Sequence, residues 1–193
     1  MSDIRPRQVR LNSRQLRAVA HPLRARLLAA LRGEEAATAT ELAQRLETNS
    51  GATSYHLRRL AEVGLVEEDR HGGRGGPRWW RSAHESTTWT ESDFDSDPDD
   101  RAAADWALGH HVRVMNRWVE DWLAGRREWS KPWRDAAGLS DLEFHLTPAQ
   151  LDALTGELHQ VLERHRQGSD PTAAGAERCV IILQAFPAKE LPV

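Results

Sequence analysis

The most distinctive chemistry in this chain lies in a polar and basic stretch at residues 50–61. It reads Ser-Gly-Ala-Thr-Ser-Tyr-His-Leu-Arg-Arg-Leu-Ala, and no Asp or Glu occurs from Thr48 to Ala61. Its hydroxyl, imidazole and guanidinium groups can hydrogen-bond phosphates and base edges. Wound as a helix, the stretch places Thr53, Leu57 and Leu60 on one side and the polar groups on the other. We therefore expect a helix that turns its polar face toward a polyanion.

Two helices are predicted before this stretch. Residues 13–20 form a short helix with Ser13 in the N-cap position. Pro22 suits the first position of the next helix, where its missing N–H removes no hydrogen bond. Residues 22–32 then place four leucines on one face and arginines elsewhere, and Gly33 stands where a helix C-terminus favours glycine.

A capping-box pattern opens the helix that directly precedes the polar stretch. Thr38 and Glu41 have the spacing in which side chain and backbone cap each other, and the helix extends to about Leu46. A short turn follows, with Asn49 as the expected N-cap of the polar helix. Two short helices across such a turn predict a helix-turn-helix, in which the second helix reads DNA.

The period of the sequence changes after Gly64. Residues 65–70 and 78–81 read as two strands, and the glycine-rich segment 71–77 between them cannot be helical. This hairpin carries arginines at 70, 74, 78 and 81, which could neutralise phosphate while the glycines let backbone approach it. It predicts the wing of a winged helix. A nucleotide loop is not favoured, because no Lys-Ser/Thr follows the glycines.

Residues 15–84 resemble the winged helix-turn-helix of the ArsR-type bacterial repressors. The matching segments are residues 20–32, 39–43 and 53–66, followed by the Gly-Arg wing. The turn departs from the usual Leu-Gly-Leu-Ser type of sequence, since residues 46–49 read Leu-Glu-Thr-Asn. The resemblance implies a dimer that binds a two-fold operator and releases it when an inducer binds.

The resemblance also implies which side chains face DNA. Carried over by position, and with Arg58 added from the helical wheel, they are Ser50, Thr53, Ser54, Tyr55, His56, Arg58 and Arg59 on the reading helix and Arg74 and Arg78 in the wing. The helical wheel places Thr53 inward, so it favours Tyr55, His56 and Arg59.

Charge divides the chain into two parts. Residues 1–84 carry 15 Arg and 9 acidic residues, a balance of +6, whereas residues 85–193 have a balance of −9. A basic first part suits a polyanionic partner. Neither a long apolar run nor a signal-peptide pattern occurs. We therefore expect a cytoplasmic, nucleoid-associated protein without a membrane span.

Metal, cofactor and catalytic sites are not expected. Cys179 is the only cysteine, so no intrachain disulfide or paired-cysteine zinc site can form. The helix before the reading helix has no Cys or His, unlike that of many metal-sensing relatives of this type. His110 and His111 are adjacent and point in different directions, so they do not form an obvious ligand pair. No nucleophile motif is present.

A long helix is predicted over residues 98–129, and it carries an apolar stripe. The stripe contains Leu108, His111, Met115, Trp118, Trp122 and Trp129, with Val112 and Val119 beside it. It can be a core and dimer contact. Alternatively, His111, Met115, Trp118 and Trp122 line a pocket for an apolar or aromatic effector.

The last fifty residues are predicted as strand, helix and strand. Residues 142–146 alternate in polarity like a half-buried strand, a helix begins at Pro148, and residues 178–186 read as a buried strand. Their thin sheet would be completed by residues 86–90 or by a partner subunit.

The sequence therefore predicts an α+β chain with a winged helix-turn-helix DNA-binding domain at 1–84. Residues 85–193 form a dimerisation and possible effector-binding domain, built from the long helix and the strand-helix-strand unit. The predicted function is a ligand-responsive repressor that binds a palindromic operator as a dimer, with no catalytic activity. Two alternatives stay open: a winged helix that binds protein, and an enzyme with a DNA-binding appendage.

Overall fold

The computed structural model describes residues 8–32, 36–69 and 76–189 of the chain. Helices and strands alternate in the first hundred residues, and helices follow. In chain order the elements are β1 (Gln8–Arg10), α1 (Ser13–Val19), α2 (Pro22–Arg32), β2 (Ala37–Thr38), α3 (Ala39–Arg45), α4 (Ser50–Ala61), β3 (Val66–Asp69), β4 (Trp79–Ser82), β5 (Ser86–Thr88), α5 (Pro98–Gly125), α6 (Lys131–Ala136) and α7 (Pro148–Gln167). The predicted α+β class is confirmed.

Local capping sets the start of the first helices. The Asn12 side chain accepts from the Gln15 backbone N–H and the Gln15 side chain accepts from the Asn12 N–H, so Asn12, and not Ser13, is the N-cap of α1. Asn competes well with Ser for this role because its carbonyl oxygen reaches the same backbone donor. Helix α2 begins at Pro22, as predicted.

The two helices of the predicted helix-turn-helix are α3 and α4. Thr38 and Glu41 form the expected capping box of α3, and the Asn49 side chain accepts from the Ala52 N–H at the start of α4. In the turn between them, Glu47 has φ of 51°, in the left-handed region. A glycine would adopt this conformation without steric conflict, whereas glutamate adopts it against a steric penalty.

The core lies between the helices and the small sheet. It contains Leu16, Leu27, Leu42, Leu57 and Trp80, all nearly inaccessible to solvent. The leucines come from α1, α2, α3 and α4, and each lies on the apolar face that its helix turns away from water. Burial of this kind stabilises the domain by about 1.5–3 kcal/mol per large side chain.

Two sheets complete this part of the chain. Strands β2, β4 and β3 form an antiparallel sheet in that order, with Ala37 opposite Trp80 and Glu67 opposite Arg81. The β3–β4 pair is the predicted hairpin after the reading helix. Strand β5 pairs in parallel with β1, so residues 86–88 do not complete a C-terminal sheet.

Acidic side chains fix the start of α5 on α1. The Asp97 carboxylate accepts from the backbone N–H groups of Asp99 and Asp100 and so caps the helix. Asp100 is buried and accepts from Arg17 Nε at 2.5 Å. The hydrogen bond from Arg17 holds the pKa of Asp100 below its usual range.

The chain forms two compact units, Met1–Arg113 and Val114–Val193, which divide within α5. The sequence-based functional division at residues 84 and 85 stays a prediction. In the described residues, no helix is long and apolar enough to cross a membrane.

The second unit differs from the predicted strand-helix-strand arrangement. Helix α7 begins at Pro148, as predicted, with Thr147 and Gln150 in a capping box. Residues 142–146 and 178–186, however, are not strands. Alternating polarity predicts an extended backbone, but a strand also requires a neighbour for its N–H and C=O groups. Neither segment pairs its backbone with a described residue of the same chain.

Candidate nucleic-acid interface

Helix α4 buries one face and exposes another, as the helical wheel predicts. Thr53, Leu57 and Leu60 are fully buried, while the Tyr55 side chain is 55% exposed. The remaining polar positions of the helix are exposed or half-buried: Ser50, Ser54, His56, Arg58 and Arg59. The exposed face of α4 therefore carries hydroxyl, imidazole and guanidinium groups and no carboxylate.

Thr53 does not belong to this exposed face. Its side chain is inaccessible to solvent, and its Oγ1 donates to the Asn49 carbonyl at 3.1 Å. The assignment of Thr53 to the DNA-facing set, which came from the resemblance, disagrees with this burial. A side chain at this position faces the domain core because it follows the same helical stripe as Leu57.

A cleft of about 210 Å³ lies where α4 meets the start of α3 and the base of the hairpin. Among its lining residues are Ser54 and Arg58 from α4 and Arg78 from the hairpin. The fold thus brings together side chains that the sequence separates by 20 positions or more. Two guanidinium groups beside a hydroxyl can bind a phosphate by charge and by hydrogen bonds.

The cleft also contains residues that sequence reasoning missed. Thr38, Ala39 and Thr40 line it from the start of α3, and Pro77 and Trp80 line it from the hairpin. Thr38 stood out in the sequence only as a helix cap. Its place beside the cleft follows from the β2–β4 pairing, which no local pattern indicates.

Arg59 and Arg78 form ion pairs at the surface. Arg59 Nη1 lies 2.8 Å from Glu62 Oε2, and Arg78 Nη1 lies 2.8 Å from Glu68 Oε1. In each pair both side chains are about half exposed, so solvent screens the attraction. Arg58 makes no ion pair with any described residue. All three guanidinium groups can therefore bind a polyanion without the loss of a strong ion pair.

His56 packs against a second histidine from the start of α2. The ring centroids of His21 and His56 are 4.4 Å apart, and Tyr55 lies edge-on to His56 at 5.1 Å. His56 Nδ1 is buried and has no hydrogen-bond partner in the described part of the chain. Desolvation, then the nearby His21 and Arg24, lower the pKa of His56. The lowered pKa favours the neutral imidazole, whose ring is partly held by packing.

Arg24 extends the basic surface onto α2, and sequence reasoning did not single it out. Its guanidinium donates to the backbone carbonyls of Ala18 and Arg17. Burial lowers its pKa, and so does the charge of Arg59. A half-buried arginine so close to the reading helix adds positive potential to that face.

Several predicted residues remain outside the interface as described. Arg74 and the hairpin tip at 70–75 lie outside the described residues. The four residues of the predicted effector pocket lie on α5. Met115 is buried, Trp122 is half-buried, and His111 and Trp118 are exposed. Within the described ranges, no group of three or more His, Cys, Asp or Glu side chains could hold a metal ion.

Part of the chain matches a known protein-family model. Residues 19–69 match the family model of the helix-turn-helix domain. This range begins just before α2 and ends with β3. It therefore contains both helices of the helix-turn-helix, α3 and α4, and the first strand of the hairpin. No curated protein matches the chain at a significant level.

Solved structures of other proteins show partial similarity to the chain. One is the homodimeric winged helix-turn-helix DNA-binding domain of a possible ArsR-family regulator from Mycobacterium bovis, with 22% identity over 57% of this chain and 78% of that chain and a TM-score of 0.34. A possible transcriptional regulator for arsenical resistance has 29% identity over 55% of this chain and 94% of that chain, with a TM-score of 0.32. ZitR of Lactococcus lactis, solved in complex with DNA, has 16% identity over 85% of this chain and 78% of that chain, with a TM-score of 0.27.

The family match and the observed elements agree on the N-terminal part of the chain. Helices α3 and α4 are joined by the turn at Glu47, and the β3–β4 pair follows as a wing. Residues 19–69 are therefore a helix-turn-helix domain, which β4 extends into the winged helix-turn-helix that the resemblance to ArsR-type repressors implies.

Proposed function

We propose that this protein is a DNA-binding transcriptional regulator that acts as a dimer. The observation that supports this function best is the acid-free face of α4 beside the cleft that contains Arg58 and Arg78. A duplex groove requires a protruding, positively charged element without carboxylates. The remaining surface of the chain is acidic on balance, so this face is the natural docking point for a polyanion.

The two elements of the interface would have different roles. Small and hydroxyl side chains at the start of α4, with Tyr55 beyond them, suit contacts with base edges because they let the helix approach closely. Arg58 and Arg78, which both line the cleft, suit contacts with the phosphate backbone. Arg59 is exposed on the same helix and can reach a base or a phosphate. The cytoplasmic nucleoid would be the place of action.

Helix α5 supports the dimer. Leu108, Val112, Met115, Val119 and Trp122 follow alternating spacings of four and three residues, which is the repeat of a coiled coil. Leu108 is 45% exposed and Val112 is 38% exposed, although both are large apolar side chains. A second copy of the helix would cover them. A two-fold dimer would in turn present two α4 helices to a palindromic operator.

Ligand response and repression complete the proposal. His111, Met115, Trp118 and Trp122 combine an imidazole, a thioether and two indoles on one helix, a combination that suits an apolar or aromatic effector. Binding of such an effector to α5 would change the spacing of the two α4 helices and release the operator. Titration of tryptophan fluorescence with candidate aromatic ligands, in the presence of operator DNA, tests this response.

The decisive experiment is binding of the full chain to duplex DNA from the region upstream of its own coding sequence. Fluorescence anisotropy is measured at low and moderate salt, against a scrambled duplex of equal length. We expect tighter binding to the upstream duplex and a steep loss of affinity with salt. Arg58→Ala should weaken binding and lower the salt slope by about 0.9, whereas Arg101→Ala, an exposed arginine at the start of α5, serves as the matched control.

Binding to protein is the alternative that this experiment separates. Absent or salt-insensitive binding would contradict DNA recognition and favour a winged helix that contacts another protein. Equal binding to both duplexes would retain DNA binding but contradict operator recognition. Only a preference for the upstream duplex together with a steep salt slope supports the full proposal.

A further inference from the structure

The segment at residues 142–146 exposes apolar side chains that alternate with polar ones. Leu142 is 80% exposed, Phe144 is 59% exposed and Leu146 is 39% exposed. Glu143 and His145 occupy the positions between them. Its backbone N–H and C=O groups make no backbone hydrogen bond with any described residue. A segment of alternating polarity with such unpaired groups can pair with another strand.

The helix that follows this segment has uncovered apolar side chains too. Leu158 and Val161 of α7 are each more than one-third exposed. Thr147 and Gln150 form the capping box of α7, so this helix begins directly after residues 142–146. If the segment pairs as a strand, it and α7 would form half of a two-layer structure, and a second strand and helix would supply the other half.

The sequence of the segment is complementary to itself in the antiparallel direction. If two copies pair about Phe144, that residue stands opposite the partner's Phe144, and Leu142 stands opposite the partner's Leu146. On the other face, Glu143 stands opposite the partner's His145. This register puts all apolar side chains on one face and places a carboxylate opposite an imidazole on the other.

Residues 178–186, the other predicted strand of this unit, are not complementary to themselves in the antiparallel direction. Centred on Ile182, antiparallel self-pairing of residues 178–186 would place Arg178 opposite the partner's Phe186. The segment also has one contact within its own unit, where Gln184 Nε2 lies 3.7 Å from Met115 Sδ. Self-pairing is therefore favoured at residues 142–146 and not at 178–186.

We propose that residues 142–146 of two copies of this chain pair as antiparallel strands about Phe144, and that this pairing covers the apolar faces of the segment and of α7. The inference rests on the proposed dimeric regulator and names a second contact between its subunits, separate from the α5 stripe. It commits to a second copy of this chain as the occupant.

Disulfide trapping tests the register. In the full chain with Cys179→Ser, which removes the only native cysteine, Phe144→Cys places two cysteines directly opposite each other. Directly opposed residues have Cα atoms about 4.5–5.5 Å apart, within disulfide reach. Glu143→Cys is the matched control, because its nearest copy is displaced by two residues. We expect at least tenfold more cross-linked dimer from Phe144→Cys under mild oxidation.

An added carboxylate gives a second readout that does not alter Phe144. His145→Glu places two carboxylates opposite each other and should weaken the dimer severalfold in sedimentation equilibrium. The double exchange of Glu143→His with His145→Glu restores opposite partners in the same register, so it should recover most of the loss. A loss in His145→Glu alone that the double exchange recovers is specific to pairing about Phe144.

Three results would overturn the inference. One is equal cross-linking of the two cysteine variants, and another is no cross-linking of either variant. The third is an intrachain disulfide between cysteines placed at 144 and 182, which would show pairing within one chain. Operator binding by the unsubstituted chain, measured in parallel, distinguishes failure of the strand pairing from failure of the proposed regulatory function. If operator binding persists while the cross-link fails, only the strand pairing is wrong.

Discussion

The imidazole rings of His21 and His56 lie against each other, with centroids 4.4 Å apart and a tilt of 38° between their planes. One ring comes from the start of α2 and the other from the exposed side of α4. His21 Nδ1 accepts from the Leu23 N–H, so its ring is anchored on α2. The pair therefore links the orientation of the reading helix to the protonation state of two histidines.

This pair predicts that the domain loses stability as the pH falls below neutrality. Desolvation lowers the pKa of both His21 and His56, and Arg24 lowers both further. The unfolded chain, with histidine pKa values of about 6.5, then binds protons more readily than the folded chain. The free energy of unfolding is thus highest above this pH and decreases as the pH falls toward the folded-state pKa values.

Urea unfolding between about pH 7.5 and about pH 5.5 checks this dependence. His21→Phe keeps an aromatic ring against His56 but removes one titrating group, so its stability should change less steeply with pH. Some dependence should remain, since desolvation also lowers the pKa of His110. A variant as pH-dependent as the unsubstituted chain would contradict a role for His21.

Removal of the hydroxyl group should lower stability at Thr53 and DNA affinity at Tyr55. Thr53→Val removes the buried hydrogen bond to the Asn49 carbonyl, so it should lower the free energy of unfolding by about 0.5–1.5 kcal/mol. Its DNA affinity should be unchanged under conditions where it is folded. Tyr55→Phe removes an exposed hydroxyl, so stability should be retained while binding to the upstream duplex weakens by a similar amount. Parallel urea titrations and anisotropy measurements separate the two effects.

Glu47 predicts a stabilising substitution. Relief of its left-handed φ is worth about 1–2 kcal/mol, and the extra entropy of an unfolded glycine removes about 0.5–1 kcal/mol of this gain. Glu47→Gly should therefore raise the free energy of unfolding by about 0.5–1 kcal/mol. Glu47→Ala removes the same charge but keeps the strained φ, so it should not be stabilising. An equal gain in both variants would assign the effect to charge.

Local signals in the sequence predicted most of the winged helix-turn-helix. Capping at Thr38 and Asn49 and the start of α2 at Pro22 depend on neighbours a few residues away, so a pattern can reveal them. Even there Asn12 displaced Ser13 as a cap, because both residues can accept the same type of hydrogen bond.

Features formed by distant residues could not be predicted in the same way. The cleft between Arg58 and Arg78 depends on how β4 pairs with β2 and β3, and the His21–His56 contact depends on the crossing of α2 and α4. At residues 142–146 the pattern predicted a strand, which the structure does not have. A pattern of polarity cannot show whether another segment is available to pair with it.

Arg59 and Arg78 should differ in what their loss does to DNA recognition. Arg59 lies on the reading helix, so Arg59→Ala should weaken binding to the cognate duplex by about 1–3 kcal/mol and reduce discrimination against the scrambled duplex if it contacts a base. Arg78 lies on the wall of the cleft, where a phosphate contact carries no sequence information. Arg78→Ala should weaken binding to both duplexes alike and lower the salt slope by about 0.9.

Because surface ion pairs to Glu62 and Glu68 contribute little stability, both variants should unfold at nearly the same urea concentration as the unsubstituted chain. If Arg59→Ala weakens binding to both duplexes equally, Arg59 contacts a phosphate and not a base.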